Sequence, residues 1–255
     1  MILFLILCVS NLFGQNADDI ASQSDRQVES LPRVLIIGDS ISLGYTPFVK
    51  KMLADQAEVV HNPGNGQHTG TGLEKLDQWL GDQKWDVIHF NWGLWDLCYR
   101  SPDSKVAGRR DKENGELTFT VEEYAENLEK LVKRLKATDA VLIWAATTPV
   151  PKNEPGRVFG DELKYNAAAA KIMEKHGVRI NDLHAAMLPD APKYWRAEGD
   201  VHYTEAGSKF LAEKVAQAIR DALESQGQAD RESRASGSDS STKGEAQKRN
   251  RSSLN

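Results

Sequence analysis

The stretch that decides the fold is Arg33-Val34-Leu35-Ile36-Ile37-Gly38-Asp39-Ser40-Ile41-Ser42. Its first five residues form a short apolar run rich in β-branched side chains, which predicts a buried strand. Gly38 and Asp39 end that run, and a helix is expected to begin beside Ser40. The stretch therefore predicts a strand, a tight turn and a helix, with a serine at the carboxyl end of the strand.

Four further apolar runs follow along the chain, and segments with helical periodicity separate them. They are Glu58 to Asn62, Asp86 to Phe90, Ala140 to Trp144 and the weaker Val178 to Ile180. Val121 to Lys136 and Thr204 to Leu223 carry apolar residues every three or four positions, which is typical of amphipathic helices. Near-continuous apolar strands that alternate with helices predict a single three-layer, doubly wound α/β domain with a mostly parallel five-stranded sheet.

Composition and charge exclude several classes of protein. The chain has 255 residues, of which 40% are apolar and 27% charged, so collagen-like, coiled-coil and multi-span membrane proteins are excluded. The formal net charge is −5, and nucleic acid is therefore not expected as a partner.

The two ends of the chain differ in composition from the folded domain, which is predicted to span residues 32–225. Residues 1–15 begin with an apolar run too short to cross a bilayer, and they are interpreted as a secretory signal peptide. The mature chain is thus expected to be secreted or to lie in the periplasm or cell envelope, without an integral membrane segment. Residues 16–31 are interpreted as a polar linker, and the polar residues 226–255 are predicted to be disordered.

Residues that could carry chemistry gather where the predicted strands end. In an open parallel sheet, ligands bind outside the carboxyl ends of the strands, where Ser40, Gly66 and Asn91 are placed. Asp200 and His202 lie just before the closing helix. A serine can attack a carbonyl after a histidine takes its proton, and a carboxylate can orient that histidine. Taken singly, these residues also fit a helix cap, a plain turn and a surface loop, but together they predict a nucleophilic site.

With these residues in place, the chain resembles the SGNH or GDSL hydrolase superfamily, which comprises esterases and lipases on a flavodoxin-like sheet. The resemblance covers Pro32 to Leu223 and is most specific at Gly38 to Ser42. It implies that Ser40 is the nucleophile and His202 the base. It also implies that the backbone N–H groups of Ser40 and Gly66 contribute to the oxyanion hole. The α/β-hydrolase alternative is disfavoured because the chain contains no Gly-x-Ser-x-Gly elbow.

Two positions depart from the pattern of that family. The block Gly-x-Asn-Asp reads Gly93-Leu94-Trp95-Asp96 here, so tryptophan replaces the asparagine that completes the oxyanion hole. Asn91 or the Trp95 indole could supply the missing donor, and we expect Asn91. The usual acid position, three residues before the histidine, is Gly199. Asp200 is expected to serve instead, with Glu198 or a Ser–His dyad as the alternatives.

These residues predict a serine esterase that removes a small acyl group from a carbohydrate through an acyl-Ser40 intermediate. The expected acyl group is acetyl. Trp92 and Trp95 follow the third strand and are expected to contact the substrate. No cofactor is expected, and no metal, because the spacings typical of metal sites are missing from the sequence. The alternative is a non-catalytic glycan-binding or scaffold protein derived from such an esterase, which the altered third block favours.

A cluster of basic residues lies in a long polar loop after the third strand. It comprises Lys105, Arg109, Arg110 and Lys112. Such a cluster is interpreted as solvent-exposed, with the binding of an acidic sugar as the alternative.

Overall fold

The structure is a computed structural model that describes residues 30–251. Five strands form its central sheet: β1 (Arg33–Ile37), β2 (Glu58–His61), β3 (Val87–Phe90), β6 (Val141–Ala145) and β7 (Arg179–Asn181). Their order across the sheet is β2-β1-β3-β6-β7, and every neighbouring pair is parallel. The predicted fold class is confirmed, and each of the five predicted strands is present.

Helices flank the sheet and complete the three-layer architecture. They are α1 (Ser40–Met52), α2 (Thr69–Leu80), α3 (Val121–Lys136), α4 (Glu162–His176), α5 (Leu183–Met187), α6 (Ala191–Tyr194) and α7 (Glu205–Arg251). Helix α1 packs on α7, while α2 packs on α3 and α3 on α4. Short 3₁₀ turns lie at Ala107–Arg109 and Leu188–Asp190.

Helix α3 shows how local sequence sets a helix boundary. Thr120 caps its N-terminus, accepting from the Glu123 N–H at 3.2 Å, while the Glu123 carboxylate accepts from the Thr120 N–H at 2.8 Å. This capping box satisfies two backbone donors that otherwise have no intrahelical acceptor. The predicted apolar face, Tyr124, Leu128, Leu131 and Leu135, is fully buried.

The core is densest around the two central strands, β1 and β3. Residues 34–37 and 87–90 are buried on both faces of the sheet, which explains why these runs show no polar alternation. The largest fully buried side chains include Trp92, Trp144 and Tyr45. The strand ends that carry the site are therefore supported by a continuous apolar core.

The segment between β3 and α3 contains a hairpin that the sequence did not indicate. Its strands, β4 (Tyr99–Arg100) and β5 (Glu116–Leu117), are antiparallel, and each has only two residues. Strands this short lie in a polar loop and carry no alternating apolar pattern, so periodicity cannot detect them.

The structure describes most of the C-terminal segment but little of the N-terminal one. Helix α7 extends to Arg251, past the predicted domain boundary at residue 225, and the expected disorder of residues 226–255 stays a prediction. Residues 1–29 and 252–255 lie outside the described residues, and with them the predicted signal peptide and most of the linker. Within 30–251, no helix is long and apolar enough to cross a bilayer.

Candidate active site

Ser40 is the first residue of α1 and lies at the carboxyl end of β1. The helix cap is Asp39, whose Oδ1 accepts from the Ile41 N–H at 2.9 Å, so Ser40 is not the cap. The neighbouring Ser42 is buried and donates to the Asp39 carbonyl oxygen at 2.7 Å. Ser40 therefore keeps its hydroxyl for other partners, and its own N–H belongs to the helix turn that lacks intrahelical acceptors.

Ser40, His202 and Asp200 form one hydrogen-bonded chain. The Ser40 Oγ lies 2.9 Å from the His202 Nε2, and the His202 Nδ1 lies 2.5 Å from the Asp200 Oδ1. The same carboxylate oxygen accepts from the His202 backbone N–H at 3.0 Å. Because a proton on Nδ1 satisfies Asp200, Nε2 is left as the acceptor for the serine hydroxyl. This is the arrangement in which a histidine can take the proton of a nucleophilic serine.

The environment of Asp200 favours its ionised form. Burial acts to raise the pKa of this carboxyl, but the hydrogen bonds and charge of His202 and the charge of Arg196 outweigh it, so the pKa lies below its ordinary value. The Arg196 Nε is 3.4 Å from the Asp200 Oδ2. A carboxylate that stays ionised can both orient the imidazole and stabilise the imidazolium.

Packing at Gly199 explains why the acid lies two residues before the histidine. Gly199 is buried with a φ of +70°, and a Cβ there would lie 2.5 Å from the Asn153 carbonyl oxygen. No side chain fits at this position, so no carboxylate can occupy it. The alternative acid, Glu198, is exposed and accepts a hydrogen bond from the Asn153 side chain rather than from His202.

Gly66 lies beside the nucleophile turn, but its N–H is already bonded. It donates to the Gly38 carbonyl oxygen at 2.8 Å. A Cβ at Gly66 would lie 2.6 Å from that oxygen, so glycine is needed for the close approach of the two loops. The structure thus corrects the expectation that Gly66 contributes to the oxyanion hole: it joins the loop after β2 to the turn that carries Ser40.

The expectations for Asn91 and Trp92 are also corrected. Both Nδ2 hydrogens of Asn91 have acceptors, the Ala145 carbonyl oxygen at 2.7 Å and the Thr147 Oγ1 at 3.3 Å. Asn91 therefore ties β3 to the end of β6 and has no free donor for an oxyanion. Trp92 is only 1% exposed, and its indole N–H donates to the Gly66 carbonyl oxygen at 3.2 Å, so it is a core residue and cannot contact substrate.

Ser40 and His202 line a cleft of about 290 Å³. Trp95 also lines this cleft, where it was expected to contact the substrate, and Leu94 and Val201 complete its apolar wall. Asn65 is a further lining residue, which the sequence did not single out. Its Oδ1 accepts from the Gln67 N–H at 2.8 Å, while its Nδ2 has no partner among the described residues. An asparagine between two glycines after β2 was the only signal in the sequence.

Asp96, the last residue of the altered block, is fully buried and does not line the cleft. Its Oδ1 accepts from the Thr69 N–H at 2.9 Å and from the Thr69 hydroxyl at 2.5 Å, which fixes the start of α2. Burial raises the pKa of Asp96 to about 7. Within residues 30–251, no cluster of three or more His, Cys, Asp or Glu side chains is placed to hold a metal ion.

Comparison with known proteins gives one family and one fold. The model of the GDSL-like lipase/acylhydrolase family matches residues 36–210. A search of curated protein sequences found no match.

Solved structures of similar fold include three hydrolases. The acetyl xylan esterase AlAXEase has 17% identity and a TM-score of 0.59, with 73% of this chain and 99% of that chain covered. The lipase/acylhydrolase from Enterococcus faecalis has 20% identity and a TM-score of 0.61, with 75% and 96% covered. The acetylxylan esterase Axe2 from Geobacillus stearothermophilus has 20% identity and a TM-score of 0.59, with 74% and 94% covered. At these identities the likeness establishes the fold.

Proposed function

The chain belongs to the GDSL-like lipase/acylhydrolase family, whose members hydrolyse carboxylic esters, and we propose that it removes acetyl groups from a carbohydrate through an acyl-Ser40 intermediate. The observation that carries this proposal is the hydrogen-bonded chain of Ser40, His202 and Asp200 at one cleft. The acetyl xylan esterases among the proteins of similar fold support the choice of a carbohydrate ester. We also propose that the protein is exported, with residues 1–15 as its signal peptide.

The first half of the reaction transfers the acyl group to the enzyme. The Ser40 Oγ attacks the ester carbonyl carbon while its proton passes to the His202 Nε2, 2.9 Å away. The carbonyl oxygen becomes an oxyanion. We assign its stabilisation to hydrogen bonds from the Ser40 backbone N–H and the unpartnered Asn65 Nδ2. When the tetrahedral intermediate collapses, the carbon–oxygen bond to the sugar breaks and His202 returns its proton to the departing alkoxide.

The second half releases the acid and restores the serine. Water attacks the acyl-Ser40 carbonyl and gives its proton to His202, and the second tetrahedral intermediate expels the Ser40 Oγ. That oxygen recovers its proton from His202, and the carboxylic acid leaves. Throughout, Asp200 holds the imidazole with its Nε2 towards the serine. The modest cleft, closed on one side by Trp95 and Leu94, favours a short acyl chain.

Replacement of Ser40 tests the nucleophile. Ser40→Ala should lower kcat for 4-nitrophenyl acetate by roughly 10⁴-fold or more, because the acyl acceptor is lost. It should also abolish labelling by a fluorophosphonate probe, which reacts only with an activated serine. The thermal melting temperature should change little, since the hydroxyl is only half-buried.

Ser42→Ala is the matched control, because Ser42 lies in the same turn but bonds to Asp39 and His61. It should keep the probe label. If Ser40→Ala still took up the label and Ser42→Ala did not, the nucleophile would be Ser42 rather than Ser40. A wild-type protein that neither takes up the probe nor hydrolyses acetate esters would instead support the non-catalytic glycan-binding alternative.

A further inference from the structure

Three arginines reach the cleft that contains Ser40. Arg100 lies on β4 and Arg110 follows the 3₁₀ turn of the hairpin, where the two residues form an antiparallel bridge. Arg157 lies in the loop between β6 and α4. The hairpin segment therefore brings positive charge to the nucleophile.

The carboxylates nearby do not neutralise these arginines. Glu154 is fully buried, and its Oε1 accepts from the Arg110 Nη1 at 2.7 Å and the Arg157 Nη1 at 2.8 Å. Three guanidinium groups against this one carboxylate leave a surplus of two positive charges. Asp39 also lines the cleft, but burial raises its pKa, and even its ionised form would leave a surplus of one.

Arg100 is held in place without an acidic partner. Its guanidinium carbon lies 4.1 Å from the centroid of the Trp95 ring, a cation–π contact, and its Nη1 donates to the Gly108 carbonyl oxygen. Its Nε is buried with no hydrogen-bond partner and is therefore out of reach of a ligand. Its Nη2 has no hydrogen-bond or ion-pair partner among the described residues and remains available at the cleft. A planar cation fixed by stacking, with donors left over, is suited to bind a carboxylate or sulfate.

Arg157 is more buried than Arg100 and is paired with Glu154, but it too keeps one nitrogen without a partner. The residue is only 3% exposed; its Nε donates to the Leu94 carbonyl oxygen at 2.6 Å and its Nη1 to Glu154. Its Nη2 has no partner among the described residues. Burying a charged side chain is costly unless its donors are satisfied, so an arginine kept at the cleft with an unused nitrogen points to an anionic ligand.

We propose that the ester cleaved at Ser40 belongs to an acidic carbohydrate, and that Arg100 and Arg157 bind a carboxylate or sulfate on its sugar ring. This inference rests on the proposed esterase function. We place the anion on the sugar rather than on the acyl group, because arginine side chains also line the surface beyond the cleft. A second depression of about 470 Å³ adjoins it, shares Trp95 and Arg100, and adds Arg109. A bound sugar can therefore extend along the hairpin while its ester carbonyl faces Ser40.

Three monoacetylated methyl glycosides with a common ring test the proposal: the neutral glucoside, the glucuronide and the glucoside 6-sulfate. We expect kcat/KM for at least one anionic glycoside to exceed that for the neutral one by tenfold or more. High salt should shrink this preference, because screening weakens partly exposed charge pairs. Comparison of the glucuronide with the sulfate identifies which anion the arginines bind.

Arg100→Gln should lower the ratio of anionic to neutral kcat/KM by about tenfold, equivalent to about 1.4 kcal/mol. Arg100→Lys keeps the charge and should retain part of the ratio. Lys105→Gln is the matched control, because it removes one charge from an exposed residue of the same segment that does not line the cleft. Equal losses in Lys105→Gln and Arg100→Gln would overturn the assignment in favour of a general surface field.

A calorimetric titration of the Ser40→Ala protein separates this inference from the esterase mechanism. The variant should bind the preferred anionic glycoside at least tenfold more tightly than the neutral one. If the variant binds in this way but the wild type hydrolyses none of the glycosides, the anion site is supported and the proposed esterase function is refuted. Hydrolysis by the wild type with equal kcat/KM for all three glycosides would refute the anion site and leave the Ser40 mechanism intact.

Discussion

Replacement of Asn65 by alanine should impair catalysis, whereas replacement of Asn91 by alanine should impair stability. Asn65 lines the cleft with Ser40 and has an unpartnered Nδ2, whereas both Nδ2 hydrogens of Asn91 are bonded to the end of β6. If the hydrogen bonds decide the roles, Asn65→Ala removes an oxyanion donor and Asn91→Ala removes a structural tie.

The size of each effect follows from these contacts. One oxyanion donor is worth roughly 10²–10³ in kcat, so Asn65→Ala should lower kcat by that factor. It also loses one hydrogen bond to Gln67, which costs only about 1 kcal/mol at this half-exposed position. Asn91→Ala loses two hydrogen bonds and leaves the Ala145 carbonyl oxygen unpaired. Together these losses should lower the free energy of unfolding by roughly 2–4 kcal/mol. In a protein of this size, that lowers the melting temperature by roughly 5–15 °C.

Steady-state kinetics with 4-nitrophenyl acetate and thermal melting, measured on the same preparations, test the pair. We expect a large loss of kcat with a small change in melting temperature for Asn65→Ala, and the reverse for Asn91→Ala. If Asn91→Ala instead lost more than tenfold in kcat at an unchanged melting temperature, the oxyanion assignment would be refuted. Near-wild-type kcat in Asn65→Ala together with a large loss in Trp95→Phe would assign the donor to the Trp95 indole.

Three carboxylates can be tested by replacement with the isosteric amide. Asp200→Asn should lower kcat by roughly 10³–10⁴-fold, because the ring loses the anion that sets its tautomer, while Glu198→Gln should have little effect; equally small losses would favour a Ser–His dyad. Burial raises the pKa of Asp96 to about 7, so the native state holds a proton that the unfolded chain releases near pH 4. The contribution of Asp96 to the free energy of unfolding should therefore fall by several kcal/mol between pH 4 and pH 7 and then level off. Urea unfolding across this range should show that Asp96→Asn, which keeps an acceptor for Thr69, lacks this part of the slope, and parallel profiles would contradict it.

Most of the fold could be predicted from the sequence because burial leaves a periodic pattern along the chain. Strands β1 and β3 are buried on both faces, so they appear as unbroken apolar runs, and α3 shows its capping box and apolar stripe directly. The two-residue strands of the hairpin and the extension of α7 past residue 225 leave no such pattern. Neither could be predicted from periodicity.

The residues of the site divide in the same way. The sequence alone indicated Ser40, His202 and Asp200, because a serine after the first strand and a histidine before the last helix must meet at the same edge of a parallel sheet. The structure joins Ser40 and His202 across 162 positions of sequence. It also places Gly199 against Asn153, which leaves Asp200 as the nearest position that can hold the acid.

Hydrogen-bond partners were decided only by the tertiary structure. Gly66, Asn91 and Trp92 have the right chemistry and the right place in the sequence, yet each uses its donor to join loops or strands together. Conversely, Arg157 lies far along the chain from Arg100 but lines the same cleft. The physical reason is that apolar burial depends on local periodicity, whereas a donor or a charge acquires its role from whichever distant atoms lie within about 3 Å of it.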